Sequence, residues 1–268
     1  MKAKPVMLTL LIMLLMQFSV QGATQASPVA KSRVMLKIND YYVLFTAPKA
    51  PYIDSNNRFM IPLRSLSELL GARVEYNSAT KKATISMGAT NFTLTSNSKS
   101  IVANGIKSFM DTAPVVHKGS MFVPLSALVN NIGIKSKWDS KNKLYILTGD
   151  SLMKTDMITY FEDLDNGEGP VKSNNGFLPV SYTLDLSNYK ITIQSKNITG
   201  SDLPEGVEDV HPYFIFGNSA VFDTKNRKRP AVEKDGIVEY TWKFTPTIVN
   251  NNRESLKYIL VKGRVFDN

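Results

Sequence analysis

The chain has 268 residues, 43% of them apolar, no cysteine, and 32 basic against 23 acidic residues, for a formal net charge of +9. Without cysteine there are no disulfides, no thiolate metal sites and no lipid-modified cysteine, which fits a bacterial exterior where domains of about a hundred residues hold by their cores alone. The lysines are scattered (Lys81, Lys82, Lys135, Lys137, Lys141, Lys143, Lys225, Lys228) rather than gathered in one stripe, so no nucleic acid is expected as a partner. A basic surface of this kind reads first as a soluble one; the sharper reading is attraction to anionic cell-wall polymer or acidic head groups, weak and salt-sensitive.

The opening "MKAKPVMLTLLIMLLMQFSVQGATQAS" carries Lys2 and Lys4, an apolar run over residues 6–16, and small residues at Gly22, Ala23 and Ala26. That is the pattern of a secretory signal peptide over residues 1–22, cleaved after Gly22 or, failing that, after Ala26. No later apolar run reaches the roughly 18 residues of a membrane span, so no span is expected after cleavage. The expected location is secreted and extracellular, either freely soluble or held non-covalently at the cell wall.

The next element is written twice. "FMIPLRSLSELLG" over residues 59–71 returns as "MFVPLSALVNNIG" over residues 121–133, with Pro62 and Pro124, Leu63 and Leu125, and Gly71 and Gly133 in register. Proline at the first helical turn and glycine just past the last predict a short helix in each copy. Leu63, Leu66, Leu69 and Leu70 fall on one face of the first, and Leu125, Leu128, Val129 and Ile132 on one face of the second. Helices of about two turns are marginal alone and must lie on a sheet. That sheet is predicted directly behind them: "ARVEYNSATKKATIS" and "IKSKWDSKNKLYILT" alternate around Asn/Asp-Ser turns and read as hairpins. A strand and a proline loop precede each helix, so each unit reads strand, proline loop, short helix, hairpin, over about residues 33–88 and 99–149.

These residues resemble the copper amine oxidase N-terminal-like domain, also called the stalk domain. The likeness rests on Phe59, Pro62, Leu63, Arg64, Leu66, Leu69, Gly71, Ala72, Val74 and Tyr76 in the first copy, and on Phe122, Pro124, Leu125, Leu128, Gly133, Trp138 and Asp139 in the second. It departs at Ser126, where the usual arginine is absent, and at Asn130 and Asn131, which are poor helix formers. The resemblance implies a stalk module on an exported protein, with Pro62, Leu63, Arg64, Gly71, Pro124, Leu125, Gly133 and Trp138 as structural residues. It does not imply a copper enzyme. That chemistry needs three imidazoles and a tyrosine in an Asn-Tyr-Asp/Glu setting, whereas this chain has two histidines, His117 and His211, and its Asn188-Tyr189 is followed by Lys190.

From Ser151 onwards short alternating runs are divided by turn signals such as Asn166-Gly167, Asn175-Gly176 and Asp235-Gly236. Five or six strands here predict an antiparallel β-sandwich of no recognised family over residues 151–268. The expected fold class is therefore α+β: a duplicated strand–helix–hairpin domain followed by a mostly antiparallel β domain. Three features of this half invite chemistry. Glu162, Asp163, Asp165 and Glu168 crowd one turn, but Gly167 breaks the alternation a calcium loop needs, so a solvated acidic turn is expected. Tyr189, Tyr240 and Trp242 are the candidate contacts for a glycan, although Trp242 in phase with Tyr240 and Phe244 reads first as core. His211 with Asp209 and Glu208 has the composition of a base and its orienting acids, yet Pro212 follows and no nucleophile motif accompanies them. The expectation is a non-catalytic protein without metal or cofactor, a stalk presenting a binding sandwich. The alternatives are a glycan-binding module and, third, a secreted hydrolase.

Overall fold

In a computed structural model of the protein the described residues are 30–33, 36–165, 169–217, 219–222, 227–246, 248–249 and 252–267. The signal peptide read at residues 1–22, with its alternative cleavage at Ala26, lies outside them, as do Glu168, Asn166 and Gly167. Strand β1 (Ala30–Ser32) is followed by the hairpin of β2 (Leu36–Ile38) and β3 (Tyr41–Thr46). The first repeat continues through β4 (Tyr52–Ile53), β5 (Phe59–Pro62), α1 (Leu63–Leu69) and the closing hairpin of β6 (Arg73–Asn77) and β7 (Lys82–Met87). After β8 (Thr90–Thr95), the second repeat opens with the hairpin of β9 (Ser100–Ala103) and β10 (Ile106–Phe109). It continues through β11 (Val115–His117), β12 (Ser120–Pro124), α2 (Leu125–Ile132) and the closing hairpin of β13 (Lys135–Asp139) and β14 (Leu144–Thr148). Beyond it come α3 (Asp156–Leu164), β15 (Val171–Ser173), β16 (Phe177–Asp185), β17 (Lys190–Asn197), β18 (Glu208–Ile215) and β19 (Ala220–Phe222). The chain finishes its described course with β20 (Ile237–Lys243), β21 (Ile248–Val249), β22 (Asn252–Arg253) and β23 (Tyr258–Phe266).

The two repeats are intertwined, not strung one after the other. Strands β5 and β12 pair antiparallel, with Ile61 opposite Val123, Pro62 opposite Phe122 and Met60 opposite Pro124. Ile61 and Val123 are the same position in the two copies, so a pseudo-two-fold axis passes through that pair. About this axis each opening hairpin joins the other copy's closing hairpin. β13 and β14 extend β2 and β3 in one sheet, while β10 and β9 reach β7 and β6 through β8 in another. The local punctuation is duplicated too. Gly71 and Gly133 stop the helices at φ 76° and φ 68°, and Lys81 and Lys143 turn the closing hairpins at φ 53° and φ 52°. Each of those turns is fastened by a backbone N–H to a side-chain oxygen three residues back, Thr80 to Asn77 and Asn142 to Asp139.

Pro62 and Pro124 are not the first helical residues but the N-caps, with extended backbones at ψ 112° and ψ 136°. The reason lies in the residues before them: Phe59–Pro62 and Ser120–Pro124 are strands that run straight into their helices. α1 is only seven residues long, but Leu63, Leu66, Leu69 and Leu70 are all at most 2% exposed. Burying each stabilises the unit by about 1.5–3 kcal/mol, which offsets what so short a helix lacks.

The described residues are mostly β, with helices of seven, eight and nine residues among them, a leaner helical share than the α+β expectation. Its largest sheet runs β13-β14-β2-β3-β23-β18-β19, with β15 beside β23. Strands from before and after Ser151 therefore lie edge to edge in one sheet. Alternation along them gives that sheet two apolar faces. Tyr41, Val43, Tyr213, Ile215, Tyr258 and Leu260 face the leucines of α1 and α2, together with Ile158 and Phe161 of α3. Tyr42, Leu44, Val210, Phe214, Ile259 and Val261 face Tyr182, Ile191, Ile193 and Trp242 of the sheet β1-β16-β17-β20. The sandwich expected after Ser151 thus exists, but one of its layers is shared with the repeats. Among the described residues no helix is long and apolar enough to cross a membrane.

Candidate functional site

Where α3 crosses the end of the shared sheet, charged side chains are buried. Thr155 caps α3 by accepting the N–H of Ile158 at 3.3 Å, and Asp156 sits in the first turn, so the helix has ordinary start signals. Phe161 anchors it, stacked on Tyr213 at 4.7 Å. This places Asp165, at the helix end, over Asp209 and His211 of β18 and Arg264 of β23, all four at most 8% exposed. Arg264 donates to Asp165 Oδ2 from Nη1 at 2.6 Å and to Asp209 Oδ2 from Nε at 2.6 Å. Tyr213 donates its hydroxyl to Asp165 Oδ2, and Arg227 donates to Asp209 Oδ1 at 3.0 Å. On the other face of β18, Glu208 accepts from the Tyr240 hydroxyl at 2.6 Å and from the Val210 N–H at 2.9 Å.

The imidazole of His211 is wedged between the two aspartates, Nε2 at 3.3 Å from Asp165 Oδ1 and Nδ1 at 3.6 Å from Asp209 Oδ2. Burial, and then the nearby positive charge of Arg264, hold its pKa well below the ordinary 6.5. Glu208 moves the other way: burial pushes its carboxyl up, against the pull of Arg227. The network joins helix to sheet, and the Arg264 guanidinium supplies the positive charge between the carboxylates.

A pH prediction follows from His211. The unfolded chain protonates this ring near 6.5 and the folded chain does not, so its stabilising contribution is complete above 6.5 and is lost as pH falls below it. Glu208, with its pKa raised above 4.5, contributes in the opposite sense as pH falls. His211→Gln removes only the first effect. Urea midpoints at pH 7 and pH 5 should therefore fall less for His211→Gln than for the unaltered chain, and equal falls would show that the imidazole is not held neutral.

The sequence candidates land as follows. Of the acidic turn, Asp163 is exposed as expected, whereas Glu162 is half-buried and Asp165 is buried. Glu162 and Asp163 are in α3, Glu162 accepts from Lys262 at 3.2 Å and from the Tyr41 hydroxyl, and Asp165 is buried because a cation on β23 meets it. Trp242 is 7% exposed and in the sandwich core, where its alternation with Phe244 placed it. Tyr240 is half-buried under the Arg227 guanidinium at 4.5 Å, and Tyr189 is half-buried against Phe244. They make no exposed flat row. Asp209 and His211 are brought together, but inside, while Glu208 lies on the opposite face of β18. The partners that sequence reading missed, Arg264, Lys262 and Arg227, come from distant strands and loops. A hint was present, since Lys262 and Arg264 alternate with apolar residues in an otherwise buried strand.

Two surface clefts lie about the pseudo-two-fold axis, each made by one copy's residues just before and at the start of β5 or β12 and by the other copy's helix start and closing hairpin. One, of about 180 Å³, is bounded by Asn57, Arg58 and Phe59 together with Pro124, Leu125, Ser126, Ser136 and Tyr145. The other, of about 230 Å³, has Gly119, Ser120 and Met121 with Pro62, Leu63, Arg64, Val74 and Ala83 at the equivalent places. The symmetry is broken in their chemistry. In the first, Tyr145 stacks on Phe59 at 4.8 Å and meets Trp138 at 4.5 Å with its ring tilted by 45°; in the second those three positions are Ala83, Met121 and Tyr76. Of the family-motif residues, Pro62, Leu63, Pro124 and Leu125 are buried at the helix starts, Arg64 is exposed, and Trp138 is 43% exposed.

No curated protein matches the chain, and no solved structure does. The region beyond the repeats has no recognised family. The family model described as the copper amine oxidase N-terminal domain matches residues 37–147, from β2 to β14, the span of the intertwined pair of repeats in the N-terminal half.

Proposed function

We propose that the protein is an exported, envelope-associated, non-catalytic binding protein, in which the stalk-type domain braces the β-sandwich through their shared sheet. The observation that carries this reading is the charge on the two closing hairpins. Lys81, Lys82, Lys135, Lys137, Lys141 and Lys143 are all exposed there, at pseudo-equivalent edges of the domain. Such a surface attracts an anionic wall polymer through interactions screened beyond about 8 Å at physiological salt. The titratable groups that suggest a hydrolase, Asp165, Asp209 and His211, are bonded or apposed to one another under α3, which favours a binding role over catalysis.

The test is co-sedimentation of the full mature chain, residues 23–268, with purified cell wall across a salt series. The reading expects binding at low salt that declines steeply as salt rises, and that declines further when Lys135, Lys137, Lys141 and Lys143 are replaced together by glutamine. Absence of sedimentation at every salt concentration would overturn it.

A further inference from the structure

The two opening hairpins meet different fates. In the first copy the outer edge of β3 is covered by β23, paired antiparallel from Thr46 opposite Tyr258 to Tyr42 opposite Val261. The equivalent strand of the second copy is β10, since Asn39 and Asn104 turn the two hairpins at φ 49° and φ 47°. β10 ends its sheet, with no strand beyond it among the described residues. Every residue of β3 is buried, and every residue of β10 is exposed. Ile106 is 74% and Phe109 75% exposed, more than any other large apolar side chain among the described residues.

What the second sheet lacks is cover on its edge, not on its face. Alternation turns Ala83, Ile85, Phe92 and Leu94 into the core and Thr84, Ser86, Thr93 and Thr95 outwards, so the outer face is polar and needs no second layer. The edge is different because its backbone is unspent. Asn104 and Gly105, both at positive φ, make a two-residue turn, in which the flanking pair Ala103 and Ile106 exchange both their hydrogen bonds. The N–H and C=O groups of Lys107 and Phe109 then point away from β9.

We infer that this edge pairs with itself in a second copy of the chain, the two β10 strands running antiparallel about a two-fold axis at Ser108 and joining two five-stranded sheets into one. The internal precedent is β3, where the same edge of the same hairpin takes an antiparallel strand. β23 cannot serve twice, because β3 and β18 already occupy its two edges. A two-fold axis normal to the sheet keeps each face on its own side, so it passes through one residue position of the strand. Centred on Lys107 it would set two ammonium groups opposite each other, which is unfavourable. Centred on Ser108 it sets Lys107 opposite Phe109 of the second copy, and the outward N–H and C=O groups of each strand meet their complements. The ammonium then lies by a ring, as Lys107 already does over Phe109 of its own strand at 5.6 Å. Ile106 falls opposite Met110 of the second copy, at the rim of the core. A lysine on a short edge strand guards against indiscriminate pairing; here it selects the register. The inference is independent of the envelope reading.

The experiment is sedimentation equilibrium of the mature chain, residues 23–268, over rising concentration, together with thiol crosslinking. The chain should pass from monomer to dimer and stop there. Since it has no cysteine, any disulfide in a single-cysteine variant joins two copies. In the Ser108-centred register the two Ser108 positions form a non-hydrogen-bonded pair with Cα atoms about 4.5 Å apart, inside the roughly 4.4–6.8 Å range of disulfides. Ser108→Cys should therefore crosslink about tenfold faster than Ser78→Cys, an exposed position in the β6–β7 turn at the far edge of the sheet, because pairing holds the thiols at high effective concentration. Phe109→Lys sets lysine opposite lysine at both symmetry-related pairs and should weaken self-association about tenfold. Its side chain is exposed, so the thermal unfolding of the dilute chain should not change. A chain that stays monomeric at every concentration overturns the inference and leaves the edge to an extended segment of a different molecule. Equal crosslinking through Ser78→Cys, or undiminished dimerisation in Phe109→Lys, overturns it as well.

Discussion

Arg264→Met should destabilise the fold by about 3–5 kcal/mol, the cost of stranding buried charge when one partner of an ion pair is removed. The arginine is 3% exposed and bridges Asp165 on α3 to Asp209 on β18. Methionine fills similar space without the charge, so the loss comes from two carboxylates deprived of their shared partner. Asp209 keeps Arg227, but Asp165 then has only the Tyr213 hydroxyl and the edge of His211. Urea unfolding measures the loss, and a change below about 1 kcal/mol, the scale of an exposed pair, would show that water reaches the cluster. The triple replacement Asp165→Leu, Asp209→Leu and Arg264→Met should recover much of the loss, because an apolar substitute for a whole buried ionic group is often neutral or better.

Gly263→Ala should cost about 3 kcal/mol or more, at or beyond the upper end of overpacking in a tight core. A Cβ at Gly263 would sit 2.0 Å from the carbonyl oxygen of Phe177 and 2.8 Å from its carbon. Those are backbone atoms and cannot step aside as a side-chain tip does. The crowding marks the corner where the chain leaves the shared sheet for the second layer: the Gly176 N–H donates to the Gly263 carbonyl at 2.8 Å, and β16 then crosses above β23. Gly105→Ala is the control. Its φ of 83° is unfavourable for alanine, but nothing lies within 4 Å of the added carbon, so the expected cost is about 1 kcal/mol. Parity of the two variants in thermal or urea unfolding would refute the close crossing.

Much of the repeat was legible because its determinants are local. Proline, leucine spacing and glycine place α1 and α2, and Asn77 and Asp139 announce their turns within three residues. What is not legible is which hairpin joins which sheet. The alternation in β2 or β14 sets the buried face but not the neighbour, so the exchange of hairpins between copies has no signature in either copy alone. The same limit hid the ionic cluster. Asp165 reads as one acid among several in a polar turn, and only its distance from Arg264, set by α3 lying across β23, makes it a core residue. Trp138 shows the converse. Its motif position identified it as structural, whereas its exposure on an edge strand and its contact with Tyr145 belong to the tertiary arrangement.

The position of β23 between β3 and β18 has a kinetic consequence. β3 and β23 are separated by most of the chain, yet they are adjacent strands in the middle of the shared sheet. A chain emerging from its N-terminus can form the local hairpins of both repeats early, but one edge of β3 stays bare until residues 258–266 arrive. Closure over so long a loop is entropically costly, and sheets dominated by such distant pairings fold slowly. The repeats therefore wait, with an apolar sheet face half-covered, for the residues synthesised long after them, and a chain halted after residue 150 would keep β3 open to any passing strand.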